Sequence, residues 1–220
     1  MAHTQYYYFT EQPYTGYDPA IQEEYPALRL TLPNSLYDAK LASELYNRYH
    51  DEYQVADEVG FDGIMINEHH TAPFCMQASI NITGAVLAKI TRRAKIVMLG
   101  NPLPVVDNPL RLAEELAMID CISRGRLVSG FVRGGGVESL ANNVNPAHNR
   151  ERFEEAHDVI LAAWTVPLGR QAFSISCDQP VGLAAAETTP ADYGAWHGEP
   201  GNCGVGGQAP LSLHCAGFVP

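Results

Sequence analysis

A chain of 220 residues with 46% apolar side chains and a mean hydropathy of -0.13 is large enough for one domain with a buried core. Its formal charge of -11 argues against a nucleic-acid partner, and no apolar stretch approaches the ~18 residues of a membrane span. The N-terminus lacks the basic region and apolar core of a secretory leader, and the five cysteines are odd in number with no CxxC pair, so thiols in the cytoplasm are expected rather than a disulfide frame.

Tyr6 to Phe9 predicts a short strand that ends at Thr10, Glu11 and Gln12 before Pro13. Residues 13 to about 34 hold Pro13, Gly16, Pro19, Pro26 and Pro33 and keep no period, which predicts a long loop of the kind that serves as a lid. Ser35 to Asp38 has capping-box spacing, and Leu41, Leu45, Tyr49, Tyr53 and Ala56 then recur at helical intervals up to Gly60. The apolar run Gly63 to Ile66 reads as a buried parallel strand that stops at Asn67 and delivers Glu68, His69 and His70. A helix over about Ser79 to Ile90 follows, with Ile82, Val86 and Ile90 four apart.

Lys95 to Leu99 is a second apolar strand, closed by Gly100, Asn101 and Pro102. Asn108 and Pro109 form an N-cap with proline at the first helical position. Leu112, Leu116, Ile119 and Ile122 trace the buried face of that helix to a stop at Gly125. Leu127 to Val132 predicts another strand, ending in Arg133 and Gly134 to Gly136. After Asn149 a last helix presents Phe153, Ala156, Ile160, Leu161 and Trp164.

Strand and helix alternate four times at roughly 30-residue spacing, which implies an α/β fold with a parallel sheet and right-handed crossovers. Four such units are the first half of a TIM (β/α)8 barrel, whose mouth lies at the C-terminal strand ends. A doubly wound open sheet is the alternative, although no GxGxxG opens the first unit.

Three strand ends carry residues with chemical potential. Glu68, His69 and His70 suit a hydrogen-bonded rim, a metal site or a general base, since imidazole titrates near neutral pH. Adjacent histidines at a strand end point to opposite faces, which makes joint ligation awkward. Gly100 and Asn101 suit a simple turn or a strained position, including a non-proline cis bond. Arg133 with Gly134 to Gly136 suits a flexible loop or a phosphate site made from a cation and exposed amides.

The segments GFDGIMINEHH, IVMLGNPLPVVDNPLRLAEELAMIDCISRGRL, SGFVRGGGVES and NRERFEEAHDVILAAWT together resemble the luciferase-like flavin-dependent monooxygenases, over roughly residues 5 to 165. The resemblance implies a (β/α)8 barrel that uses reduced FMN, or alternatively a deazaflavin, with molecular oxygen on a small organic substrate. It implies that His69 is the active-site histidine, flanked by Glu68 and His70. Gly100 and Asn101 fall where the family places a cis peptide against the flavin ring, and Arg133, followed by Gly134, where an arginine meets the flavin phosphate. Val132 falls where light-emitting members carry a reactive cysteine, and Thr10 and Glu11 close the first strand near the ring. A homodimer through the second and third helices and a flavin reductase are the partners implied; no metal is.

From Pro167 to Pro220 the character changes, with 9 Gly and 6 Pro among 54 residues, no Lys and one Arg. This predicts two regions, a half barrel over 1–165 and an irregular, disordered tail over 166–220, left by truncation or an altered reading frame near residue 165. A half barrel would leave two unpaired strand edges, so a non-catalytic remnant or interaction fragment is the alternative function. A metal-dependent hydrolase using Glu68 and the histidines is a third.

Overall fold

The computed structural model describes residues 4–71 and 73–165. The expected tail over 166–220 lies outside the described residues. Four parallel strands form the main sheet: β1 (Tyr7–Phe9), β2 (Gly63–Ile66), β3 (Lys95–Met98) and β5 (Leu127–Val128). Between and after them come two short strands, β4 (Asn101–Pro102) and β6 (Phe131–Val132), which pair with each other. The helices are α1 (Ile21–Glu24), α2 (Leu28–Thr31), α3 (Ala39–Val59), α4 (Ile80–Ile90), α5 (Pro109–Ser123), α6 (Gly136–Ala141) and α7 (Asn149–Thr165). The order β1-β2-β3-β5 runs with the chain, without the reversal that defines a doubly wound sheet.

Local chemistry accounts for most boundaries. Asp38 caps α3 by accepting from Lys40 N and Leu41 N, and Gly60 closes it in the left-handed conformation. Ser35, expected to start this helix, lies instead in a short 3-10 turn over Asn34–Leu36. Asn108 caps α5 by accepting from Arg111 N, as expected. The stop of α5 begins one residue before the expected glycine, because Arg124 itself takes the left-handed turn with φ 65°.

The core joins Tyr53 and Ala56 of α3, Ile64 and Ile66 of β2, Ile96 and Met98 of β3, Leu116 of α5 and Phe153, Ile160 and Trp164 of α7. On α4 the buried face is Ile80, Thr83, Gly84, Leu87 and Ala88, and of the row Ile82, Val86 and Ile90 only Ile90 packs partly against the core. Ile82 is 69% exposed, and on α5 Ile122 is 47% exposed. Both helices carry apolar residues outside their buried faces, and the small residues Gly84 and Ala88 are what allow α4 to approach the sheet.

The expected strand 127–132 is broken in two at Gly130. A Cβ on Gly130 would lie 2.3 Å from Met98 O, and one on Gly100 would lie 2.3 Å from Gly130 O. Two glycine backbones therefore pass face to face where β3 hands over to β4 and β5 to β6. All peptide bonds among the described residues are trans, including the one expected to be cis at Gly100 and Asn101. Asn101 N donates to Gly130 O at 3.0 Å, a ladder bond that this trans geometry makes.

Candidate active site

At the end of β2 the chain turns from apolar to polar in one step. Asn67 is buried, and Glu68, His69 and His70 are half-buried. Glu68 is fixed from two sides: Oε2 accepts from Ile80 N at 2.8 Å, capping α4, and Oε1 pairs with His70 Nε2 at 3.2 Å. That hydrogen bond raises the His70 imidazole, against burial, which would lower it. Glu68 and His70 thus hold each other and the start of a helix.

His69 turns the other way, as alternation at a strand end requires. Its Nδ1 lies 2.9 Å from Glu138 Oε1 on α6, and its ring meets Phe74 edge-on with centroids 5.3 Å apart. The same carboxylate oxygen accepts from Arg29 Nη2 of α2. Burial alone would lift the Glu138 carboxyl, but the hydrogen bonds from His69 and Arg29 and the guanidinium charge prevail and hold it down at about 2. An ionised carboxylate only accepts, so Nδ1 of His69 must carry the proton. In the neutral ring Nε2 is then the nitrogen with the lone pair, the group that can take a proton and return it.

Beneath the histidines lies a floor of buried amides. Asn67 Oδ1 accepts from Gln77 Nε2 at 3.3 Å and from the Cys75 thiol at 3.6 Å, while Asn67 Nδ2 donates to Glu11 Oε1 at 3.5 Å. Gln12 Nε2 donates to Tyr53 OH at 3.3 Å, and that hydroxyl donates to Thr10 O at 3.3 Å. The Thr10 hydroxyl accepts from Gln12 N at 3.2 Å, so it caps a turn. Gln12 Oε1 and Gln77 Oε1 are buried without a hydrogen-bond partner. Burial pushes the Cys75 thiol up to about 11.

The third group lies on β4 and β6. Asn101 pairs with Phe131 and Pro102 with half-buried Val132. A Cβ on Gly134 would sit 3.4 Å from Pro102 Cβ, so this glycine, at φ 70°, packs on the same short sheet. The Asn101 amide faces inward, toward Met98 Sδ at 3.8 Å. Arg133 is exposed on the turn leading into α6, the helix whose Glu138 meets His69. Of the expected residues, Glu68, His69 and His70 come together on one side, and Gly100, Asn101, Val132 and Gly134 on the other, bridged by α6. Among the described residues no three His, Cys, Asp or Glu side chains are set to share a metal ion.

Glu138 and Arg29 were not anticipated. Glu138 lies only five positions beyond Arg133 in the glycine-rich segment. Arg29 had one available signal: it is the sole Lys or Arg in the first 39 residues.

The luciferase-like monooxygenase family model matches residues 33–195, running past the residue 165 at which the sequence motifs give out. The chain is 33% identical over 118 residues to a limonene 1,2-monooxygenase of Rhodococcus erythropolis, covering 50% of this chain and 29% of that protein. It is 33% identical over 99 residues to the oxygenase component of a flavin-dependent trigonelline monooxygenase of Acinetobacter baylyi, covering 44% of this chain and 27% of that protein. The chain thus spans less than a third of these relatives. Among solved structures, the oxygenating constituent of 3,6-diketocamphane monooxygenase of Pseudomonas putida, in complex with FMN, aligns with a TM-score of 0.58 at 18% identity, over 74% of this chain and 40% of that one. A monooxygenase of Streptomyces bottropensis aligns with a TM-score of 0.53 at 26% identity, over 73% of this chain and 43% of that one. The chain belongs to the luciferase-like monooxygenase family.

Proposed function

We propose that the chain carries the histidine side of a flavin-dependent monooxygenase site, which uses reduced FMN and molecular oxygen on a small organic substrate. The observation that carries this reading is the His69–Glu138 pair at a C-terminal strand end, in a chain of this family. The parallel sheet, ordered as the chain runs, supports the further reading that its four strands are the first half of a (β/α)8 barrel.

The residues present fit the cofactor. A flavin phosphate needs a cation and exposed amides, which Arg133 and the turn at Gly134 offer; a Cβ on Gly136 would meet nothing within 4 Å. A flavin ring has a donor edge, and Gln12 Oε1 and Gln77 Oε1 are orphaned acceptors. Gly100, Asn101, Val132 and Thr10 are the residues assigned to the ring, and a deazaflavin is the alternative cofactor. Reduced flavin, when bound, supplies the electrons that oxygen requires.

The chain's own contribution is proton handling. Glu138 keeps the proton of His69 on Nδ1, so Nε2 takes a proton from a reacting group and gives it back. Glu68 and His70 hold the turn that presents His69. The apolar side chains Ile82, Met118 and Ile122, exposed on the packed helices α4 and α5, support a homodimer through that face. Replacing Ile82 with Asp is expected to convert a dimer to a monomer in sedimentation analysis.

The test is a fluorescence titration of FMN into the full chain. Saturable binding is expected, weakened about tenfold or more in Arg133→Ala, the loss of one charge-assisted phosphate contact. His69→Ala is expected to bind FMN yet lose oxygenation. No saturable binding by the intact chain would sink the proposal and leave a non-catalytic remnant.

A further inference from the structure

The segment expected to be an irregular loop is pinned at both ends. Tyr14 N donates to Pro73 O at 2.8 Å, and Tyr14 OH donates to Leu36 O at 3.1 Å while accepting from Asp38 N at 2.7 Å. The rings of Tyr17 and Tyr37 stack on Tyr14, with centroids 6.4 and 5.4 Å away. Between these pins, α1 and α2 bury none of their residues. Helices of four residues have no stability of their own in water. Something must hold them against the body of the protein.

The middle of the segment reaches the site through Arg29. From α2 its guanidinium crosses to Glu138, 109 positions along the chain, and lies 5.4 Å from the centroid of the Phe74 ring. Phe74 in turn meets His69, and His69 and Arg29 donate to the same oxygen, Glu138 Oε1. The Glu138 side chain is 5% exposed and that of Arg29 26%. A pair this buried is not the weak, screened contact of two surface charges. The shared oxygen also makes release tolerable: when Arg29 leaves, His69 Nδ1 still donates to the carboxylate.

We propose that Arg29 latches residues 19–34 as a lid beside the His69–Glu138 pair, and that parting of this ion pair widens access to His69, whose side chain is 29% exposed when the latch is closed. The proposal rests on the His69 mouth being the site that ligands enter. Closure then couples the lid to the proton-handling histidine through one carboxylate oxygen, and opening begins with the Arg29 side chain swinging away. Lids of this kind exchange on the microsecond-to-millisecond scale and exclude water when shut.

Two readouts on the full chain test the latch without any ligand. The first is hydrogen exchange at pH 7 of the α2 amides Leu30, Thr31 and Leu32, which bond to Ala27 O and Leu28 O. In Arg29→Ala these amides are expected to exchange about tenfold faster, with α3 unchanged, and Arg29→Lys to recover part of the protection. The second is carbethoxylation of His69 by diethyl pyrocarbonate, mapped by mass spectrometry against the exposed His148 as internal control. Its rate at His69 is expected to rise severalfold in Arg29→Ala and in Glu138→Gln, with His148 unchanged. Unchanged exchange at Leu30 to Leu32 in Arg29→Ala, or equal acceleration throughout α3, would overturn the latch. So would a His69 rate that stays constant. Failure of FMN binding would overturn the functional reading above and leave these results standing.

Discussion

Two arginines show how differently the ends of this sheet are built. Arg126, just before β5, uses all five N–H donors: Nε on Ser123 O, Nη1 on Thr91 Oγ1 and Ala94 O, and Nη2 on Ala88 O and Thr91 O. Beside it Asp57 accepts from Arg92 N, Arg93 N and Ala94 N at 2.6 to 2.9 Å. At the opposite end Arg29 donates through Nη2 to a carboxylate that also serves His69, and its Nε is buried without a partner. The N-terminal strand ends thus carry a densely bonded network, although Asp120 Oδ2 within it is buried without a partner, and the C-terminal ends retain unfilled acceptors on Gln12 and Gln77 and an unfilled donor on Arg29. A satisfied network fixes the fold, whereas an incompletely satisfied one has capacity for a ligand.

The comparison can be broken by stability measurements. The largest loss is expected for Arg126→Met, which strips four backbone carbonyls of their donor and should lower stability by on the order of 3–5 kcal/mol in urea unfolding. Asp57→Ala, which leaves three backbone N–H groups unpaired, is expected to cost about 3 kcal/mol. If these changes leave unfolding untouched, the N-terminal end is not the structural one.

Acid titration sharpens the other side. Glu138 is lowered in the fold from its ordinary 4.5 to about 2, so its contribution is fully present above about pH 4.5 and lost as pH falls through about 2. The size of that contribution is on the order of 3 kcal/mol. Glu138→Gln should therefore flatten the stability curve over that window, and an unchanged curve would deny the pairing with His69 and Arg29. The smallest effect is expected for His69→Ala, about 1 kcal/mol or less, because the ring is half-buried and Arg29 still serves Glu138. Thus a change that removes the proposed chemistry should scarcely alter the unfolding midpoint.

The same division explains what could be read in advance. Gly63 to Ile66 and Lys95 to Met98 are continuous apolar runs between punctuating residues, so both buried strands were legible, as was the Asn108-Pro109 helix start. The helix faces were less so: α4 and α5 carry apolar residues outside their buried faces, and periodicity alone could not show that Ile82 and Ile122 lie outside. The break at Gly130 depends on the backbone of Gly100, thirty positions away, and no local pattern records it. At the site, His69 and its neighbours were legible from an abrupt polarity change at a strand end. Glu138 and Arg29 were not, because their significance arises only when α2 and α6 converge on one histidine.

Cys75 carries a consequence for how such a mouth would age. Its thiol donates to Asn67 and stays protonated up to about pH 11, because burial disfavours the thiolate. Oxidants and alkylating reagents attack the thiolate, so at neutral pH Cys75 is a poor target despite lying against Asn67 at the end of β2. With valine at position 132, that position also offers no thiol. Positions 75 and 132 therefore present no reactive thiolate at neutral pH.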